Sequence, residues 1–217
     1  MKKVFYFTVL IFGISYFANA QSTKVLIETS MGNMTVVLYD ETPEHRDNFI
    51  KLANQGFYED LLFHRVINGF MIQAGDPDSK NAPANKPLGN GGPGYTIPAE
   101  FNTKYFHKKG ALSAARTGDH INPEKRSSGS QFYIVQGMKY TDMQMDSMEK
   151  QLGRKFSKIE RDTYYSLGGT PYLDTQYTVF GEVTKGLEII DKIASVKTSA
   201  NDRPVEDIKI VKVSVIK

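Results

Sequence analysis

Short β-prone segments recur along most of this 217-residue chain, and only two helix-forming stretches stand outside one charged insertion. Val25 and Ile27 alternate with polar residues, Ser30-Met31-Gly32-Asn33 is turn chemistry, and Met34 to Tyr39 is again β-rich. Further β segments follow at Phe63–Ile67, Phe70–Ala74, Ala111–Ala115, Gln131–Val135 and Thr178–Val183, and a last strand runs from Asp207 to Ile216. Many short strands with so few helices restrict the fold to a barrel or a sandwich. The apolar phase of the last strand changes between Ile210 and Val211, which predicts a bulge or burial on both faces.

The first helix opens at Thr42-Pro43-Glu44, with Thr as N-cap, Pro at N1 and an acid in the first turn. Phe49, Leu52 and Ala53 form its apolar face and Gly56 ends it. The second runs from about Gly186 to Ser195, with Leu187, Ile190 and Ile193 on one side. Far apart in sequence, the two could plug the open ends of a barrel. The segment from Tyr140 to Thr170 differs in character. Helical stretches at Asp142–Leu152 and Ser157–Leu167, separated by Gly153, read as a helical hairpin inserted between two β elements. Met145, Met148 and Leu152 share one helix face, which more often packs an insertion onto its domain than binds a partner.

Met1-Lys2-Lys3, an apolar run from Val4 to Phe17, and Ala18-Asn19-Ala20 have the layout of a signal peptide cleaved after Ala20. The run is shorter than the roughly 20 residues needed to span a bilayer. Export to the periplasm or secretion of residues 21–217 as one domain is therefore expected, and an uncleaved signal would tether that domain to the membrane. Of 27 basic and 24 acidic residues, two lysines and no acid fall in 1–20, so the remainder carries a net charge of about +1, which favours no nucleic-acid partner. With no cysteine, the chain has no disulfide framework, thiolate nucleophile or cysteine-metal site. His45, His64, His107 and His120 are scattered without a metal-binding spacing, and His64 reads as a structural hydrogen-bonding residue. The Gly89–Gly94 loop lacks the Gly-Lys-Ser/Thr ending of a phosphate loop and reads as a turn or groove-lining loop. Ser127, Ser128 and Ser130 sit in no nucleophile elbow.

Four stretches carry the chemistry: Phe63 to Asp76 (FHRVINGFMIQAGD), Ser127 to Val135 (SSGSQFYIV), Leu173 to Gly181 and Gly110 to Arg116. Strand alternation puts Phe63, Arg65 and Ile67 on one face, Met71 and Gln73 on one face of the next strand, and Gln131, Tyr133 and Val135 together on a third. An arginine and a glutamine among aromatic and apolar residues would place a fixed cation at the edge of an apolar pocket, with Gln73 able to hold the guanidinium. A surface arginine over a core strand is the plainer reading of the same pattern.

Together with the Thr42-Pro43 helix and the Gly89-Asn90-Gly91-Gly92 loop, these blocks resemble the cyclophilin family of peptidyl-prolyl cis–trans isomerases, in the family's order and over nearly all of residues 21–217. The resemblance implies a closed eight-stranded antiparallel β-barrel capped by two helices, with its groove on the outer surface. By motif position, Arg65 resembles the catalytic arginine and Gln73 the glutamine that orients it. Phe70, Met71, Tyr133 and Leu173 resemble the proline-pocket wall, and Gln131 a groove residue. Ala115 and Arg116 match the segment whose backbone grips substrate beside the proline. Tyr172 and Tyr177 fall where many eukaryotic members have tryptophan and histidine. Tyr133 replaces a commoner phenylalanine, Arg116 replaces an asparagine, and Tyr172 lacks the indole N–H that helps those members bind cyclosporin. The resemblance further implies a monomer that needs neither cofactor nor metal and acts on proline-containing polypeptides, here exported ones. Two other classes compete: a non-catalytic proline-peptide-binding module or holdase on the same scaffold, and a subunit of an envelope complex docked through the Tyr140–Thr170 hairpin.

Overall fold

The computed structural model describes residues 23–216, so the export segment expected at 1–20 lies outside the described residues. Ten strands form: β1 (Lys24–Thr29), β2 (Gly32–Leu38), β3 (Arg65–Ile67), β4 (Met71–Ala74), β5 (Thr96–Ile97), β6 (Ala111–Ala114), β7 (Ser127–Ser128), β8 (Phe132–Val135), β9 (Val179–Lys185) and β10 (Ile210–Ile216). Four helices accompany them: α1 (Pro43–Asn54), α2 (Asp142–Leu152), α3 (Lys158–Ser166) and α4 (Leu187–Ala194). The two-residue pair β5–β7 has no counterpart in the sequence reading, being too short to carry a period.

Eight strands make one antiparallel sheet in the order β10-β1-β2-β9-β6-β8-β4-β3, curled into a half-barrel. The half-barrel is the part of the expected architecture that is shown; among the described residues no ladder joins β3 to β10 to close it. The chain before β3 is irregular and β3 has only three residues, which leaves too little strand to pair. Three backbone bonds cross there instead, from Asp60 N–H to the Ile210 carbonyl (2.9 Å), from Phe63 N–H to the Ile208 carbonyl (2.9 Å) and from Ile210 N–H to the Leu61 carbonyl (2.8 Å), around an isolated Leu62–Lys209 bridge. The same irregularity overturns one face assignment. Phe63 lies in the main core with Val66, not beside Arg65, because alternation holds only within a strand. In β10 the expected bulge is present: pairing steps from Glu28–Lys212 to Thr29–Ile210 and leaves Val211 unpaired and exposed.

The sheet has two apolar faces. On the inner one, Val25, Ile27, Val36, Leu38, Val66, Ile72, Leu112, Phe132 and Ile134 pack with Phe49 and Leu52 of α1 and Ile190 and Ile193 of α4. Phe49 lies 4.9 Å from the Tyr58 ring, 5.5 Å from Phe132 and 5.7 Å from Phe180, so α1 is anchored by an aromatic cluster. The α1 N-terminus is capped differently from the expectation. Thr42 makes no side-chain cap bond; the Glu100 carboxylate accepts the N–H groups of Glu44 (3.1 Å) and His45 (3.0 Å) and meets the buried His45 ring at 2.6 Å.

The insertion is a helical hairpin as expected. Thr141–Gln144 and Ser157–Glu160 form capping boxes at the starts of α2 and α3, and Gly153 ends α2 with a left-handed backbone (φ 64°). The buried Glu149 carboxylate holds the turn by accepting from Phe156 N–H (2.9 Å), Lys155 (2.6 Å) and Arg161 (3.2 Å). Met145, Tyr140, Phe156 and Tyr164 make a small core against Phe106 and Met148, so the methionine face packs the hairpin onto the domain. Leu152, expected on that face, is the last residue of α2 and is exposed.

Candidate active site

Strand alternation sends one set of residues inward and the other to the outer face. Phe132 and Ile134 of β8 join the main core, while Tyr133 and Val135 join a second cluster with Met71, Ala111, Ala115 and Val179. Phe70, Leu173 and Tyr177 pack on that cluster. Above it opens a cavity of about 290 Å³ lined by nine expected site residues: Arg65, Phe70, Met71, Gln73, Ala115, Arg116, Tyr133, Leu173 and Tyr177. The groove therefore lies outside the sheet, on the surface of β3, β4, β6 and β8. A second hollow shares Gln73, Ala115 and Arg116 with it and is also lined by Gln131. Tyr172 lines neither; it is half-exposed, with its ring 6.1 Å from that of Phe70.

Cross-strand register sets Arg65 opposite Gln73 and Gln73 opposite Tyr133. The expected Arg65–Gln73 hydrogen bond is not formed among the described residues. Arg65 Nε donates instead to Asp202 at 3.3 Å, a half-exposed pair, and among the described residues no hydrogen bond engages its two terminal nitrogens. Asp202 reaches that position because its carbonyl accepts Val66 N–H at 2.8 Å, which lays the 199–203 turn along β3. Gln73 is held by a one-way chain of amides. Gln131 Nε2 donates to the carbonyls of Gly89 (2.9 Å) and Gly91 (2.7 Å), so Gln131 Oε1 is left to accept Gln73 Nε2 (3.1 Å). That order fixes the Gln73 amide and leaves its oxygen as the acceptor facing other partners. The buried Asp76 carboxylate accepts Gly89 N–H and pins the same loop, so the Gly89–Gly92 segment lines the groove.

The remaining walls are equally determined. Ala115 spends its N–H on the Gln131 carbonyl (3.0 Å) and its carbonyl on Ser128 N–H (2.8 Å). The N–H and C=O of Arg116, by contrast, are unengaged among the described residues. The Arg116 side chain is buried and lies 4.4 Å over the Tyr177 ring, bonded to the Gln176 carbonyl (3.0 Å) and Asp119 (2.6 Å). Tyr177 meets Tyr133 edge-on at 5.9 Å. Burial holds the Tyr133 hydroxyl well above its ordinary pKa, so it stays protonated. Sequence reasoning missed His64, Leu88 and Asn201 as lining residues, and Asp202 as the partner of Arg65, whereas Gly89 and Asn90 belong to the loop read as a turn or groove-lining loop. His64 is buried, and burial lowers its pKa, so it faces the cavity as a neutral ring.

Residues 24–215 match the family model described as cyclophilin type peptidyl-prolyl cis-trans isomerase/CLD. A Staphylococcus saprophyticus protein named as a peptidyl-prolyl cis–trans isomerase is 35% identical over 202 residues, spanning 91% of this chain and 94% of that protein. A Streptococcus pyogenes protein named as a bifunctional phosphatase/peptidyl-prolyl cis–trans isomerase is 37% identical, but this chain spans only 39% of its length. Among solved structures, a Cryptosporidium parvum cyclophilin superposes with a TM-score of 0.67 at 22% identity, covering 91% of this chain and 99% of that one. The same protein crystallised in the presence of the dipeptide Ala-Pro gives 0.65. The outer-face groove, the strand order and these matches agree, and the chain belongs to the cyclophilin-type peptidyl-prolyl cis–trans isomerase family.

Proposed function

We propose that this chain catalyses cis–trans isomerisation of Xaa-Pro bonds in polypeptides, with Arg65 as the group that stabilises the twisted amide. The observation that carries the reading is the uncommitted terminal fork of Arg65 at the rim of a cavity walled by Phe70, Met71, Tyr133 and Leu173. A peptide bond resists rotation by roughly 18–20 kcal/mol because the nitrogen lone pair is delocalised into the carbonyl. Before proline the trans preference is only about 0.5–1 kcal/mol, yet exchange takes tens to hundreds of seconds. The reaction needs neither nucleophile nor metal; it needs the twisted amide bound better than either planar form.

As the amide twists, its nitrogen becomes pyramidal and regains a lone pair. A donor at that point is attractive only in that state. The Arg65 guanidinium is always protonated and offers planar, directional donors. The apolar wall holds the proline ring while the carbonyl side turns, and the Arg116 backbone is placed to grip the neighbouring peptide unit. An acceleration of about 10⁵ requires about 7 kcal/mol of differential binding. One hydrogen bond to a charged group supplies about 1.5–3 kcal/mol. Ring anchoring, desolvation and orientation in the groove contribute the rest.

The same reading takes the half-barrel as closed through the backbone bonds between Leu61–Phe63 and Ile208–Ile210. It takes the basic, apolar and small-residue layout of residues 1–20 as an export signal, so that the clients are exported polypeptides and the domain works in the periplasm or outside the cell. The test is magnetisation-transfer NMR on a short Xaa-Pro peptide. The isomerase reading expects exchange to accelerate at catalytic protein concentrations. Peptide binding with unchanged exchange would make the groove a recognition site and refute it.

A further inference from the structure

Tyr133 brings a hydroxyl to the pocket wall, and that hydroxyl is tied into a buried chain of hydrogen bonds. Its Oη lies 3.0 Å from Nε2 of His107. Nδ1 of His107 lies 2.9 Å from Oδ1 of Asp174, which also accepts the His107 backbone N–H at 2.8 Å. Oδ2 of Asp174 accepts the hydroxyl of Tyr164, on α3 of the inserted hairpin, at 2.8 Å. Arg154, from the turn between the hairpin helices, approaches the same carboxylate at 3.6 Å. His107 and Tyr164 are fully buried and Asp174 and Tyr133 nearly so.

The donor order follows from the groups themselves. An aspartate carboxylate only accepts, so His107 donates to it from Nδ1, and the neutral ring in that tautomer presents Nε2 as an acceptor. Tyr133 must then donate to it. The hydroxyl proton is turned away from the cavity, and the wall offers the proline ring an aromatic surface. Burial, reinforced in Tyr164 by the Asp174 charge, pushes the pKa of both tyrosines up and keeps them protonated donors. The rings of His107 and Tyr133 lie nearly parallel (13°) with centroids 6.1 Å apart, so moving one displaces the other.

A satisfied polar core would need none of this to reach the groove, yet Asp174 is linked to it by two routes. Its chain neighbour Leu173 lines the cavity, and His107 links its carboxylate to Tyr133. The hairpin is seated tightly at this place: Gly169, just beyond α3, bridges to both Lys108 and Met138, and any side chain there would collide with the Tyr164 ring and the His107 carbonyl.

We propose that the inserted hairpin sets the proline pocket, Tyr164 acting through Asp174 and His107 to fix the position and hydroxyl orientation of Tyr133. His107, Asp174 and Tyr164 are thus positioning residues for proline recognition. The functional meaning rests on the isomerase reading; the geometry does not.

The experiment uses the chain from residue 21 and the variants Tyr164→Phe, Tyr133→Phe, their combination and Phe156→Leu. Phe156 belongs to the hairpin core but not to the hydrogen-bond chain, and controls for packing. Three quantities are measured by NMR: the Kd of an Ala-Pro-containing tetrapeptide, the kcat and KM for its exchange, and the ring ¹⁵N shifts of His107. The wild type should show His107 protonated on Nδ1 alone. Tyr164→Phe and Tyr133→Phe should each raise Kd and KM about three- to tenfold, more than they lower kcat, and move the His107 ring shifts. The double variant should be no worse than the more affected single one, and Phe156→Leu should leave Kd within twofold. The proposal is overturned if Tyr164→Phe leaves Kd unchanged, if the two tyrosine effects multiply independently, or if Phe156→Leu weakens binding equally. A wild-type His107 protonated on Nε2 overturns it without any variant. Should the wild type bind peptide without speeding exchange, the isomerase reading fails, while the Kd and ring-shift results still decide this one.

Discussion

Replacing Gln131 by leucine tests how the groove is held open. Gln131 is buried and makes three side-chain bonds: to the Gly89 carbonyl (2.9 Å), to the Gly91 carbonyl (2.7 Å), and from Gln73 Nε2 (3.1 Å). Leucine has nearly the same volume and makes none of them. Each bond contributes about 0.5–1.5 kcal/mol net, so the change removes about 2–4 kcal/mol of restraint from the loop and from Gln73. Part of it returns when the freed carbonyls meet water, because Gly89 and Gly91 border open hollows. The remainder acts on the groove: Gly89 and Asn90 form one side of the cavity beside Arg65, and the Gln73 amide loses its fixed orientation opposite Arg65. A loss of about 1.4–2.7 kcal/mol in transition-state binding is a 10- to 100-fold fall in kcat/KM. The assay is peptide exchange by NMR, with circular dichroism to show that the fold persists. A kcat/KM within threefold of wild type would refute the claim that the amide chain organises the site.

Glu100→Ala removes the remote cap of α1 and leaves the buried His45 ring without its partner; urea melts at pH 7 should show a loss of about 1–3 kcal/mol. Burial raises the Glu100 pKa, but the bonds from His45 and the N–H groups of His45 and Glu44 outweigh it and hold the carboxyl below its ordinary value. A folded pKa below the unfolded one gives stabilisation that is complete above about pH 4.3 and lost as pH falls through the folded value. The gap between wild type and variant should therefore narrow in melts at pH 3, and a gap that widens there contradicts the assignment. Phe49→Ala opens a hole between Tyr58, Phe132 and Phe180 and should cost about 3–5 kcal/mol in the same melts.

What could be read in the sequence was whatever a local period or a contiguous motif encodes. The period of two in Gln131–Val135 separates the inner Phe132 and Ile134 from the outer Tyr133 and Val135, and the structure keeps that division. The two helical stretches of the insertion, parted by Gly153, and the bulge after Ile210 were equally local. Phe63 was misplaced because the chain enters β3 irregularly and alternation has no hold there. The partners of charged groups were not legible. Arg65 meets Asp202 across 137 residues and Glu100 caps a helix 55 residues earlier. Asn201-Asp202 reads only as turn chemistry, and nothing in its neighbourhood says that the turn lies along β3. His107 carried no spacing signal because its partners, Tyr133 on β8 and Asp174 in the turn after Pro171, lie 26 and 67 residues away.

The central claim is that Arg65 acts on the twisted amide and not on the planar peptide. The direct measurement compares wild type with Arg65→Ala in two quantities: peptide Kd, and the exchange rate at saturating peptide. Because Arg65 pairs with Asp202 alone among the described residues, and both are half-exposed, the substitution should leave the fold intact and peptide Kd within about threefold. The saturated exchange rate should fall at least tenfold, a loss of about 1.4 kcal/mol or more that appears only at the transition state. If Kd rises as much as the rate falls, or if the rate does not change, Arg65 is a binding residue and the proposed mechanism is wrong.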